Sequence, residues 1–503
     1  MTTRIALALS SATLALTGCA GGLGGGSLAD AGQVSPRAIT PQDRAEGAKA
    51  NTEFLAEFGG AYAGNQASYV RQVGQKIAFQ SGIAQNANEF NITLLNSPVS
   101  NAFAIPGGYV YITRQLTGLL NNEAELAFVL GHEVGHVAAG HNQSRQKRST
   151  TTGLLGLGAQ LLSGILLGNG ALGQAVGQGI GTVAQGTLLG FSRAQEYQAD
   201  DLGILYLNRA GYDPFASASA LASLALQNDL DARQSGDNRT LPEWASTHPD
   251  PAARVQRARE RAQTYTPGAA TAGATTSGIV NRDGFLSAID SMLYDDDPQQ
   301  GVVRGSQFLH PVLRFRFTAP QGYTLSNGAD AVSVTGQNGQ AQLKGGGAVA
   351  SSALDSYVAR VFQGLGSDSI RPGAVQRTTI NGVPAAYSVA TAQTQQGQID
   401  VGVIAYSLNG QGYHFLTLAP AGQGLGPFNS MVQSFSALSA SDAAAVRARR
   451  IDVVTVRSGD TASSLAQRMA YDDFKLERFL VLNGIGGNMI LQAGQKVKLV
   501  VYR

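Results

Sequence analysis

Cysteine is almost absent: Cys19 is the single one in 503 residues, so no disulfide can form within the chain. Charge is scarce as well. Asp, Glu, Lys and Arg make up 14% of the residues, well under the usual quarter, and the formal net charge is only +2, which gives no case for a nucleic-acid partner. Clean apolar runs of membrane-spanning length are missing too. The run from Ile5 to Leu16 is too short to cross a bilayer, and the uncharged stretch 149–192 is broken by Gly, Asn and Gln every few residues. Glycine, by contrast, is abundant at 63 residues, so long polar or glycine-rich connections are expected between two to four domains.

Histidine is also rare, with six in the chain, yet three fall within residues 125–141, ELAFVLGHEVGHVAAGH. His132-Glu133-Val134-Gly135-His136 is an HExxH pattern, and a helix places positions i and i+4 one turn apart on one face. Both imidazoles can then reach one zinc ion, while Glu133, about 100° further round, can reach a water beside it as general base. Leu126, Val129, Leu130, Val134 and Val137 recur at helical spacing, and Asn122 with Glu125 reads as a capping box. Gly131 and Gly135 cost helix stability and so predict close approach of a neighbouring backbone. His141 lies off the ligand face and reads as structural, with a ligand role as the alternative.

A catalytic zinc needs a third protein ligand and an open position. Sixty residues after His136, FSRAQEYQADDLG offers Glu196 and Asp200 on one helical face. Glu196 is the candidate ligand, and Asp200 would accept the second N–H of a ligating histidine and fix its tautomer. At this point the chain resembles the HtpX-like and CAAX-prenyl-endopeptidase-like zinc metallopeptidases, gluzincins of the HExxH…E type, from roughly residue 45 to 262. The resemblance includes Asn101-Ala102-Phe103-Ala104-Ile105-Pro106-Gly107-Gly108, Tyr109-Val110-Tyr111-Ile112 and Thr247-His248-Pro249. It implies that the strand from Tyr109 to Thr113 borders the cleft and pairs with extended substrate. It also brings His248 near the metal, either to stabilise an oxyanion or to block the zinc in a latent state, against the plain alternative of a surface loop histidine. Related sequences often carry an acid where Gln198 stands. The stretch 149–192 reads as buried or cleft-covering helices, with a membrane hairpin as the alternative, and such an apolar flap could touch unfolded clients or a bilayer surface.

The start of the chain resembles a bacterial lipoprotein precursor: Arg4, an apolar run, then Leu16-Thr17-Gly18-Cys19. That resemblance implies removal of residues 1–18 and lipidation of Cys19, which would leave no free thiol and would hold the protein at a membrane surface. Ala20 after the cysteine fits delivery to the outer membrane, with 19–41 as a tether.

Beyond a linker at 263–283, residues 284–440 predict an α+β domain of hairpins. Asn381-Gly382 and Asn409-Gly410 each lie between strand-like runs, and SALDSYVARVFQ is helix-like. No catalytic constellation is visible there. After a second linker, 441–450, the last fifty residues resemble the LysM module, a small βααβ fold that binds N-acetylglucosamine-containing glycans. Val456-Arg457-Ser458-Gly459-Asp460-Thr461, Leu482-Asn483-Gly484 and Ala493-Gly494-Gln495-Lys496-Val497 carry the likeness, with Ala493 where proline is usual.

The sequence therefore predicts an α+β protein: a mainly helical metallopeptidase domain with a small sheet at 42–262, an α+β hairpin domain, and a βααβ LysM-like module at 451–503. The function expected is that of a one-zinc endopeptidase in the bacterial cell envelope, lipid-anchored and facing the periplasm. Its substrates would be misfolded or unassembled envelope proteins, and its tail would touch peptidoglycan. A chaperone with a latent site, or a wall-binding scaffold, are the competing readings.

Overall fold

The computed structural model describes residues 36–141, 191–235, 248, 250–265, 278–329, 331–365, 370–394, 397–486 and 490–503. The leader, Cys19 and most of the tether lie outside the described residues, as do 142–190, with nearly all of the uncharged segment, and 266–277 of the linker. No described helix is long and apolar enough to cross a membrane.

The first unit is mainly helical. Helix α1 (Pro41–Glu57) starts on Thr40, whose hydroxyl accepts from the Asp43 N–H while the Asp43 carboxylate accepts from the Thr40 N–H. Helix α2 (Asn65–Phe79) packs on β1 (Asn91–Leu95), which joins β2 (Ala102–Ile105) and β3 (Tyr109–Thr113) in a sheet of order β1-β3-β2. Here the structure differs from the sequence reading, because β3 is the middle strand and β2 the outer one. The reason is burial on both faces: Val110, Tyr111, Ile112 and Thr113 are all fully buried, as a central strand requires.

Helices α3 (Arg114–Leu119), α4 (Glu123–Ala138), α5 (Arg193–Arg209), α6 (Ala216–Ser235) and α7 (Pro251–Gln263) complete this unit. The glycines of α4 do what their helix cost predicts. A Cβ on Gly135 would lie 3.1 Å from the Ala199 carbonyl oxygen, and one on Gly203 would lie 3.1 Å from the His132 nitrogen. Helices α4 and α5 therefore touch almost backbone to backbone.

Helix α8 (Arg282–Ile289) and β4 (Leu293–Tyr294) come next. The sequence places them in the hairpin domain, but Phe285, Leu286 and Ile289 enter the core of the first unit, and β4 pairs with a strand of the C-terminal module. The β-rich unit proper holds β5 (Val302–Arg304), β6 (Gln307–His310), β7 (Phe315–Thr318), β8 (Thr324–Asn327), β9 (Ala331–Gly336), β10 (Gly339–Ala348), α9 (Leu354–Gly364), β11 (Arg371–Pro372), β12 (Gln376–Ile380), β13 (Val383–Thr394), β14 (Gly397–Leu408), β15 (Gln411–Pro420), α10 (Asn429–Gln433) and β16 (Ser436–Ala437). Its large sheet runs β11-β13-β14-β15-β10-β9-β8. One face packs on α9 through Val403, Ala405 and Leu416, the other on Phe308, Phe317 and Phe435. Both Asn-Gly turns form as predicted, with φ of 48° and 78° at Asn381-Gly382 and 52° and 75° at Asn409-Gly410. Positive φ at both central residues is what a two-residue hairpin turn needs.

Helix α11 (Ala440–Ala444) leads to the C-terminal module: β17 (Arg449–Thr455), α12 (Ala462–Ala466), α13 (Lys475–Leu482) and β18 (Lys496–Tyr502). Thr461 caps α12, and β17 lies between β18 and β4. The module is not held apart. Leu116, Leu119 and Leu120 of the first unit share one apolar core with Ile451, Phe479, Leu482 and Val500 of the module. Lys498, fully buried, sends its ammonium to the carbonyl oxygens of Gly118 at 2.8 Å, Leu119 at 3.2 Å and Leu120 at 2.6 Å. These are the open carbonyls at the end of α3, which a cation suits.

Candidate metal centre

The centre is built on α4. Asn122 caps it by accepting from the Glu125 N–H at 2.9 Å, and the Glu125 carboxylate accepts from the Asn121 N–H at 2.8 Å, one residue beyond a standard capping box. From about three turns past that cap, His132 and His136 bring their Nε2 atoms to 3.0 Å. On α5, capped by Ser192, Glu196 lies one turn before Asp200. The close packing of the two helices puts Glu196 Oε1 at 3.4 Å from His136 Nε2, and Oε2 at 3.6 Å from His132 Nε2. His248 joins them, so that donor atoms of His132, His136, Glu196 and His248 all lie within 4.8 Å of one another. All four residues are buried.

Charge explains how such a group persists in the interior. Burial pushes both imidazoles below their ordinary pKa, His136 furthest, with its histidine neighbours adding to the effect. They are thus neutral, with lone pairs available. Burial also pushes Glu196 up to about 8, despite the opposing pull of Arg254. Asp200 goes the other way: burial would raise it, but the Arg254 guanidinium and His132 outweigh that and hold it at about 2. Arg254 donates to Asp200 from Nε at 2.8 Å and Nη2 at 2.6 Å, and to Glu196 from Nη1 at 2.5 Å.

The donor set fits a zinc ion. Two imidazole nitrogens and a carboxylate converge, and Glu196 Oε1 is buried with no hydrogen bond, as suits an oxygen that would hold a cation. His132 Nδ1 lies 3.0 Å from Asp200 Oδ1, so its proton points away from the group and Nε2 points in. Glu133 Oε1 lies 3.4 Å from His248 Nε2. His141, off the ligand face, touches His136 instead, and Phe191 stacks on the His136 ring with centroids 3.7 Å apart.

Residues 65–262 match the profile of peptidase family M48. They form an M48 peptidase domain. Residues 454–500 likewise match the LysM domain. Over 203 residues, 40% of the chain, the sequence is 32% identical to a protein of Yersinia pestis named beta-barrel assembly-enhancing protease, of which the match covers 39%. A mitochondrial metalloendopeptidase OMA1 of Schizosaccharomyces pombe is 30% identical over 38% of the chain and 52% of its own length. Metalloprotease YcaL of Escherichia coli is 26% identical over 52% of the chain and 97% of its own length. The chain thus spans about two fifths to a half of the first two relatives. A solved cyanobacterial PsbP from Synechocystis overlaps 27% of the chain at a TM-score of 0.21 and 10% identity, too slight a likeness to assign any unit's fold.

Sequence reading of the M48 domain misses Arg254. Its signal lay in spacing: Arg254, Arg257 and Arg261 recur every three or four residues along α7, and Asp200 and Asp201 stand together on α5. In the structure Arg257 binds Asp201 at 2.5 and 2.7 Å, while Arg254 takes Asp200. An arginine stripe docks α7 onto α5 and holds the acids of the site.

Proposed function

We propose that this protein is a zinc endopeptidase of the bacterial envelope, with the metal held by His132, His136 and Glu196. The observation that carries the reading is the convergence of those three donors beside Glu133. A zinc ion bound there supplies Lewis acidity to a scissile carbonyl and brings the pKa of a water toward about 7. Glu133 takes the proton of the attacking water and hands it to the leaving amine. Asp200, itself fixed by Arg254, keeps the His132 proton on Nδ1.

His248 carries a second part of the proposal. Its Nε2 lies among the donor atoms and 3.4 Å from Glu133, which favours the latent reading: His248 takes the position that a substrate would need. Turned toward substrate, the same imidazole would serve an oxyanion.

The name of the Yersinia pestis relative, beta-barrel assembly-enhancing protease, supports envelope proteins as substrates, and the LysM match supports contact with peptidoglycan. Lipidation at Cys19, with residues 1–18 as leader and an outer-membrane location facing the periplasm, completes the proposal on sequence grounds. The proposed units are a peptidase domain at 42–262, a β-rich domain within 284–440 and a module at 451–503.

The test is cleavage of an intrinsically unfolded protein by the chain beginning at Ala20 and by its Glu133→Gln variant. Cleavage by the parent that vanishes in a variant still binding one zinc supports the reading. Zinc binding without cleavage by either, even after His248→Ala, would favour the chaperone reading.

A further inference from the structure

His132 and His136 are held differently. His132 leans on the carboxylate of Asp200, whereas the Nδ1 of His136 lies 2.9 Å from His141 Nδ1, and His141 Nε2 lies 2.8 Å from Gln198 Oε1. Gln198 belongs to α5, two residues after Glu196 and two before Asp200. The chain of contacts thus leaves the metal-binding helix, passes through a buried imidazole and returns to the helix that supplies the carboxylate donor.

We infer that His141 and Gln198 are positioning residues that fix the tautomer and ring orientation of His136 for metal binding. This rests on the zinc reading above. His136 Nε2 lies toward His132 and Glu196, so its lone pair must be there and its proton on Nδ1. Two nitrogens 2.9 Å apart share one proton, so His141 Nδ1 must accept. Neutral His141 then carries its proton on Nε2, which donates to the Gln198 oxygen. Each link dictates the next, and one assignment satisfies all three residues. Phe191 covers the His136 ring face, and His141 is 4% exposed, so water competes poorly for these bonds. The chain ends in a neutral amide, which orients His136 without adding a third carboxylate beside Glu196 and Asp200.

The effect is read as zinc affinity, by competition with a chromogenic chelator, on the full chain beginning at Ala20. The parent binds one zinc. His141→Phe, which keeps an aromatic ring against Phe191 but cannot accept, weakens binding by roughly 10- to 100-fold. Gln198→Leu weakens it, and Gln198→Glu tightens it, because a carboxylate strengthens the bond from His141 and so the donation from His136. Opposite signs at one position are not what lost packing would produce, and they remain readable if His141→Phe fails to fold. Parent-like affinity in both Gln198 variants would overturn the positioning role while leaving the zinc reading intact. A parent that binds no zinc would overturn both.

Discussion

Replacing Lys498 by methionine tests whether the C-terminal module is part of the peptidase fold. Methionine keeps the length and apolar stem of the side chain and removes the ammonium. What remains is three carbonyl oxygens, those of Gly118, Leu119 and Leu120, facing an apolar group. The Glu125 carboxylate, which also accepts from Ser219 Oγ at 2.7 Å, loses the favourable electrostatic influence of Lys498. Leaving those buried carbonyls without their donor costs about 3–5 kcal/mol in all, at roughly 1–3 kcal/mol for each stranded group. For a unit of this size each kcal/mol shifts the melting temperature by about 2–4 °C, so a fall of roughly 10 °C is expected. Urea unfolding followed by far-UV circular dichroism would measure the loss, and zinc retention through the transition would show whether the metal centre melts with the module. Adding Glu125→Gln should recover part of the loss, because a pair removed together leaves no stranded charge. A loss below about 1 kcal/mol, or a module that unfolds by itself while zinc stays bound, would refute the reasoning.

Three further outcomes follow from the same geometry. Arg254→Met leaves Glu196 and Asp200 buried without their cation and should destabilise the metal-free protein by about 3–5 kcal/mol in chemical unfolding, less in the presence of zinc. Stripping zinc with a chelator should lower the melting temperature, and restoring it to a hundred times its dissociation constant should return about 2.7 kcal/mol. Desolvation raises Asp296 from 3.8 to about 6. Its contribution is therefore fully present below pH 3.8 and lost as pH rises through about 6, because the folded state keeps a proton that the unfolded state releases. Asp296→Asn should flatten that fall in denaturation midpoints between pH 4 and 7, and an unchanged slope would show that Asp296 does not titrate there.

The metal centre was legible wherever the chemistry is periodic. His132 and His136 declare themselves by one helical turn, Glu196 and Asp200 by another, and the two Asn-Gly turns by their tolerance of positive φ. What stayed hidden depends on partners distant in the chain. Lys498 sits in QKVKLVV, where alternation with Lys496 reads as a solvated strand face, and only the α3 carbonyls 378 to 380 residues earlier turn it into a buried contact. Strand β3 alternates in sequence yet is covered on both sides, so its place at the centre of the sheet could not be read from its own residues. Helix α8 and β4 follow the same logic: a linker precedes them, but their apolar side chains find the first unit and the module rather than the β-rich unit.

Asp295, Asp296 and Asp297 form three consecutive carboxylates that serve three different clients. Asp295 accepts from Tyr471 of the module at 2.7 Å and from Gln115 of the M48 domain at 3.2 Å. Asp296 accepts from Val303 and Asn327 of the β-rich unit at 2.7 and 3.2 Å, and Asp297 accepts from Asn96 of the M48 domain at 2.7 Å. This tripeptide acts as a keystone. Its span is too short for any one carboxylate to shift without dragging its neighbours, so an insertion of even one residue there would misregister two of the three joints at once. Loop grafts and fusion points in this protein therefore belong elsewhere, and a chain cut at residue 296 would be expected to lose all three alignments together.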